Sequence, residues 1–172
     1  MKSLRELYRI GHGPSSSHTM APRKAAEQFL QRHPDAAQFR VTLFGSLAAT
    51  GRGHLTDKVL LEAFRPAPCE IIWQPEQELP MHPNGMQFEA LANHHSVTDK
   101  WQVYSTGGGA LRQAGEAMDP VETYDLNDMQ AILARSAKTG ESCWEYVVSC
   151  EGEEIYPYLQ EVWQTMTAAI ER

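Results

Sequence analysis

No stretch of the 172-residue sequence is apolar for long enough to cross a bilayer, and its first residues do not follow the basic-then-apolar order of a secretory leader. A cytoplasmic protein is the expectation. Basic residues are in the minority, 15 Lys and Arg against 22 Asp and Glu, and no stripe gathers them. A formal charge of -7 therefore argues against a nucleic-acid partner and against an anionic membrane. Cysteine is scarcer still: Cys69, Cys143 and Cys150 are odd in number and match no zinc or iron-sulfur spacing. The GK[ST] of a P-loop, the third spaced glycine of a dinucleotide fingerprint and the G-x-S-x-G elbow of a serine hydrolase are all missing. Ser17 and His18 are sequence neighbours, which rarely brings an imidazole onto a hydroxyl. Seven histidines invite a metal reading, but none are paired at the zincin spacing, and His94 and His95 would point to opposite faces of a strand. No metal site is expected in this chain. With no linker, repeat or low-complexity segment, one domain over residues 1–172 is expected.

The apolar pattern predicts a mixed α/β (α+β) fold, a small mixed sheet of about four strands packed with helices, and a helical C-terminal third. Leu4, Leu7 and Tyr8 predict a short first helix, and Ala25, Ala26, Phe29 and Leu30 share a face of a second that runs from Pro22 to His33-Pro34. Phe39, Val41 and Leu43 alternate with Arg40 and Thr42 as a strand. A helix is expected from about Thr56, with Val59, Leu60, Leu61 and Phe64 inward, then strands over 70–74, 86–91 and around Trp101 to Ser105, the last two antiparallel. Asn127 with Gln130, and Ser142 with Glu145, read as capping boxes. Met129, Ile132, Leu133 and Ala137 are expected on one face of the first of these helices. A final helix carries Ile155, Leu159, Val162, Trp163, Met166 and Ile170 as core or interface. It reaches Arg172 without a stop signal, which suggests a piece of something longer.

Three polar loops stand at the ends of these elements. The first, residues 13–19, packs Ser15, Ser16, Ser17, His18 and Thr19 before a helix, where free backbone N–H groups and the positive dipole end favour a carboxylate or phosphate. An over-supplied helix cap explains the same residues. The second, residues 45–58, sets His54 among Gly45, Gly51 and Gly53 beside a helix start, where the dipole would lower its pKa and keep it available as a base. A surface histidine in a glycine loop is the competing reading. The third combines the turn at Asn84 with Gly107, Gly108 and Gly109, whose backbone can form an anion nest or a loose loop.

Together these motifs carry a resemblance. Gly13-Pro14-Ser15-Ser16-Ser17-His18-Thr19, Gly45-Ser46-Leu47-Ala48 through Gly51-Arg52-Gly53-His54-Leu55-Thr56-Asp57-Lys58, His82-Pro83-Asn84-Gly85-Met86 and Tyr104-Ser105-Thr106-Gly107-Gly108-Gly109 resemble, in order, the beta domain of iron-sulfur L-serine dehydratases. The resemblance implies a fold similar to the allosteric substrate-binding domain of some phosphoglycerate dehydrogenases. It implies conversion of L-serine to pyruvate and ammonia with a 4Fe-4S cluster, whose unique iron would act as Lewis acid while a base takes the α proton. The cluster cysteines of the family belong to its alpha domain, so no cluster is expected in this chain alone. The implied partners are L-serine and an alpha domain or subunit, with room for a homodimer. On this reading His54 is the candidate general base. Ser15, Ser16, Ser17, His18, Thr19, Asn84 and Gly107 to Gly109 are candidate substrate contacts, and Asp57 and Lys58 are candidate supports for His54. A serine-sensing or assembly module without catalysis is the alternative.

Overall fold

Phe39, Val41 and Leu43 turn inward from β1 (Gln38–Phe44), and the sheet grows outward from this strand. The computed structural model describes residues 1–113, 115–116 and 122–171. The sheet has five strands in the order β2-β1-β3-β4-β5, from β2 (Cys69–Gln74), β3 (Gly85–Leu91), β4 (Val97–Ser105) and β5 (Leu111–Gln113). β1 and β2 are parallel, with helices in the crossover, and the remaining pairs are antiparallel. The fifth strand is the short β5, which pairs Leu111 with Ser105 across the glycine triplet. Three residues leave too little alternation to read as a strand from sequence.

The chain forms two compact units, one of Gly11–Ala117 and one of Met1–Ile10 with Met118–Arg172. In the first, α2 (Ala21–Arg32) and α4 (Thr56–Ala63) cover one face of the sheet. Phe29 of α2 is fully buried, its ring centroid 5.7 Å from that of Phe88, 6.0 Å from Phe39 and stacked at 6.1 Å on Trp101. Burying a side chain of this size stabilises by about 1.5–3 kcal/mol. On α4, Val59, Leu60 and Phe64 are buried as expected, but Leu61 points outward because it falls a quarter-turn off their face. The opposite sheet face is polar: Glu89 lies under Arg40 (3.2 Å) and Lys100 (2.8 Å), and Arg40 also holds Glu70 at 2.8 Å. Burial works to raise the Glu89 carboxyl pKa, but the hydrogen bonds from Lys100 and Arg40 outweigh it and hold the group below its usual range.

The segment expected as a glycine loop between β1 and α4 is a helix, α3 (Gly45–Thr50), followed by a tight 3-10 turn over Gly51–His54. Gly45 starts it with φ +50°, and a Cβ there would stand 2.6 Å from the Pro83 carbonyl oxygen. Close approach of the 82–84 turn thus needs glycine.

In the second unit, α1 (Leu4–Leu7), α5 (Met129–Thr139), α6 (Cys143–Glu151) and α7 (Ile155–Ile170) bury Tyr124, Tyr146, Ile155 and Val162. The Ser142–Glu145 capping box is formed, and Gly140 ends α5 in the left-handed region. The cap of α5 is Asp128, which accepts from the Ala131 amide, rather than Asn127. Met129, Leu133 and Ala137 are exposed and Ile132 is half-buried, so the apolar face expected on α5 is turned largely to solvent. Glu151 ties this unit together, accepting from Ser3 Oγ, the Leu4 amide and Tyr124 Oη, each at 2.7 Å.

Candidate functional site

Because β1 and β4 run the same way and β3 runs against them, the C-terminal ends of β1 and β4 and the start of β3 lie at one end of the sheet. Gly45, Asn84 and Ser105 sit at those three ends. The serine cluster is a helix entrance, as its composition predicts. Ser15 accepts from the His18 amide at 3.1 Å, and residues 16–20 make one wide turn in which the Thr19 and Met20 amides both donate to the Ser15 carbonyl. That turn runs straight into α2 and presents Ser17 and His18 sideways.

The two imidazoles of the site face each other, His18 and His54 having ring centroids 4.7 Å apart. Thr50 holds both. Its hydroxyl donates to the Ser46 carbonyl at 2.9 Å and so has only lone pairs left for His18 Nε2, 2.9 Å away. Neutral His18 therefore carries its proton on Nε2, and Ser17 Oγ donates to Nδ1 at 2.9 Å. The sequence neighbours Ser17 and His18 are in hydrogen-bond contact after all, because the wide turn rotates one side chain onto the other. Thr50 also offers its carbonyl, which can only accept, to His54 Nδ1 at 3.0 Å. Neutral His54 thus has its proton on Nδ1 and a free lone pair on Nε2. Burial, and then the charge of His54, lower the pKa of His18.

Thr19 and Thr56 are fully buried and lash the two histidine turns together. Thr56 Oγ1 donates to the His18 carbonyl at 2.6 Å and Thr19 Oγ1 to the His54 carbonyl at 3.4 Å. The Thr19 hydroxyl also accepts from the Ser15 amide, so it stands behind the imidazoles rather than beside an open space. Between the turns, Leu55 takes a left-handed backbone, φ 61°, which costs a leucine about 1–3 kcal/mol. Asp57 accepts from the Lys58 amide and Lys58 is exposed; His54 is oriented by the Thr50 carbonyl and not by either of them.

The third wall is joined to the first two through Ser46, whose amide donates to the Pro83 carbonyl at 3.1 Å. Next to Pro83, Asn84 exchanges a backbone bond with Ser105, whose amide donates to the Asn84 carbonyl at 3.0 Å. Asn84 Oδ1 and Ser105 Oγ are both buried without a hydrogen-bond partner. Such groups cost about 1–3 kcal/mol each when left unpaired. Gly107, Gly108 and Gly109 all have positive φ and form the tight turn into β5, with the Ala110 amide donating to the Gly107 carbonyl.

Sequence reasoning missed Thr50, Ser46 and Ser105. Thr50 sits four residues after Ser46, the spacing of a hydroxyl bonding back along a helix, but that signal needs α3 to be recognised first. The thiols are not part of this site. Cys69 lies on β2 with its pKa pushed up to about 12 by burial and by Glu70, while Cys143 and Cys150 lie on α6. Among the described residues no three His, Cys, Asp or Glu side chains gather into a ligand set.

Compared with known proteins, residues 3–70 and 63–116 match the family described as serine dehydratase beta chain. The chain belongs to that family. Among serine dehydratases, L-serine dehydratase 1 of Escherichia coli (strain K12) is 30% identical over all of this chain and 49% of its own length. The L-serine dehydratases of Mycobacterium bovis and Helicobacter pylori are 36% and 41% identical, over 63% and 79% of this chain and 32% and 38% of their own. The chain spans about half the length of the curated relatives it matches. The Escherichia coli match runs over 223 positions against 172 residues here, so that serine dehydratase carries about 50 positions this beta-type chain does not have. The two stretches matching the family meet at residues 63–70, where α4 passes to β2 by only five residues. No helix among the described residues is long and apolar enough to cross a membrane.

Proposed function

We propose that this chain is the beta component of an iron-sulfur L-serine dehydratase, completed by an alpha part that holds the 4Fe-4S cluster. The observation that carries the reading is the arrangement of His54 in a serine dehydratase beta chain. Its Nδ1–H is committed to the Thr50 carbonyl and its Nε2 lone pair is left free beside His18. In the proposed reaction L-serine gives its α proton to this nitrogen, and its β hydroxyl departs as water by taking that proton back from the imidazolium. The resulting aminoacrylate tautomerises and is hydrolysed to pyruvate and ammonia. The cluster supplies Lewis acidity towards the departing hydroxyl when the alpha part is present; this chain contributes the base and the cradle.

Within the cradle, Ser15 and Ser16, with Gly107 of the β4–β5 turn, are the donors offered to the substrate carboxylate, while Ser17 gives its proton to His18 Nδ1 and holds that ring. Asn84 Oδ1 is an acceptor for its ammonium, and the unpaired Ser105 hydroxyl joins it. His18, kept neutral by burial, holds His54 in place by ring contact and avoids a second positive charge against the ammonium. Catalysis by a positioned base of this kind is worth about 10²–10⁴-fold.

The test is reconstitution. The full chain is mixed anaerobically with a cluster-bearing alpha polypeptide, and pyruvate is measured on addition of L-serine. Pyruvate that needs both components supports the proposal. Serine binding to the chain with no pyruvate in any mixture would instead assign it to a serine-sensing module.

A further inference from the structure

The last helix of the second unit is packed for only half its length. Ile155 and Val162 of α7 are buried, and Tyr158 is held by Arg5, whose guanidinium lies 5.4 Å over its ring and whose carbonyl accepts its hydroxyl at 3.3 Å. From Trp163 to Glu171 no side chain is buried. Trp163, Met166 and Ile170 are 69%, 50% and 83% exposed at helical spacing i, i+3, i+7, and Leu159 and Tyr156 continue the same stripe backwards. Between Glu161 and Glu171 there is no charged residue. A solvent-facing helix ordinarily carries charge on its free side, and two unpacked turns gain nothing that would hold them helical in water. The stripe therefore has the composition of a covered surface.

We infer that the Trp163, Met166 and Ile170 face of α7 is the docking surface for the alpha part of the enzyme. The inference rests on the reading proposed above, in which the chain is one of two components. Two observations choose this occupant over a second copy of the chain. The serine dehydratase relatives are about twice as long as the portion this chain matches, so a body of comparable size accompanies the beta part in them. A single-helix stripe from Tyr156 to Ile170, about 21 Å long and about 10 Å wide, is still too small to supply alone the roughly 800 Å² per partner of a stable symmetric dimer. A larger partner can combine it with surface elsewhere, using the tryptophan as an anchor.

The experiment measures the affinity of the full chain for the purified alpha polypeptide by sedimentation, with hydrogen exchange over residues 163–170 as a second readout. Trp163→Glu and Ile170→Lys, both at exposed positions and checked for unchanged circular dichroism, are expected to weaken the complex at least tenfold each. Arg65→Glu, on the exposed α4–β2 connection, is expected to leave it unchanged. Exchange over 163–170 should slow when the alpha polypeptide is added. Equal affinity for wild type and both variants would overturn the inference, as would absence of any complex, or a wild-type dimer that Trp163→Glu dissolves. A complex that depends on the stripe but makes no pyruvate from serine would leave the docking surface standing and remove the proposed function.

Discussion

His18 and His54 share one hydrogen-bonding residue: Thr50 accepts from His18 through its hydroxyl and from His54 through its carbonyl, fixing opposite tautomers on two rings whose centroids are 4.7 Å apart. One imidazole is thereby enclosed between two hydroxyls and the other is left with a free lone pair. The asymmetry matters because two adjacent imidazoles cannot both be charged without cost.

The first prediction concerns pH. The folded-state pKa of His18 lies below its ordinary value of 6.5, so the unfolded chain binds the proton more readily. The stability this contributes is complete above pH 6.5 and is lost as pH falls through the folded pKa. Denaturant midpoints measured between pH 7.5 and pH 5 should fall with pH, and His18→Asn should flatten that part of the curve.

Thr50 is the residue on which the tautomers depend. Thr50→Val keeps the shape and removes the hydroxyl, leaving His18 Nε2 and the Ser46 carbonyl without their partner. The expected cost is about 0.5–1.5 kcal/mol in chemical denaturation. Nitrogen chemical shifts should show His18 losing its Nε2–H preference while His54, held by the backbone carbonyl, keeps its Nδ1–H.

The meeting of the second and third loops depends on Gly45. Gly45→Ala places a Cβ 2.6 Å from the Pro83 carbonyl oxygen at a positive φ, and should destabilise by at least about 2 kcal/mol. Gly53→Ala, with nothing within 4 Å and an ordinary backbone, should be neutral or stabilising by up to about 1 kcal/mol. Thermal melts of the two variants make the comparison.

Much of this architecture is legible in the chain. The alternation at Phe39, Val41 and Leu43 gives β1, the apolar face through Phe29 gives α2, and Ser142 with Glu145 announces α6, because each is a local rule acting on local residues. What escapes is set by contacts across the fold. α3 begins with a glycine and reads as loop; its start is held by Pro83 and Gln77, almost forty and over thirty residues away. The outward turn of Leu61, Met129 and Leu133 depends on which neighbours are present, and periodicity does not distinguish a buried stripe from one awaiting a partner. At the site the polar loops were visible. Their division of labour was not, since it rests on the single hydroxyl proton of Thr50 and on burial that only the packed structure defines.

The central claim is that His54 Nε2 takes the α proton of serine. The most direct measurement is pyruvate formation from L-serine, under anaerobic conditions with the alpha polypeptide, by wild-type chain and by His54→Gln, whose amide can still donate to the Thr50 carbonyl. The account predicts a fall of about 10²–10⁴-fold in kcat with folding and assembly intact. A variant that turns over serine at the wild-type rate would contradict it.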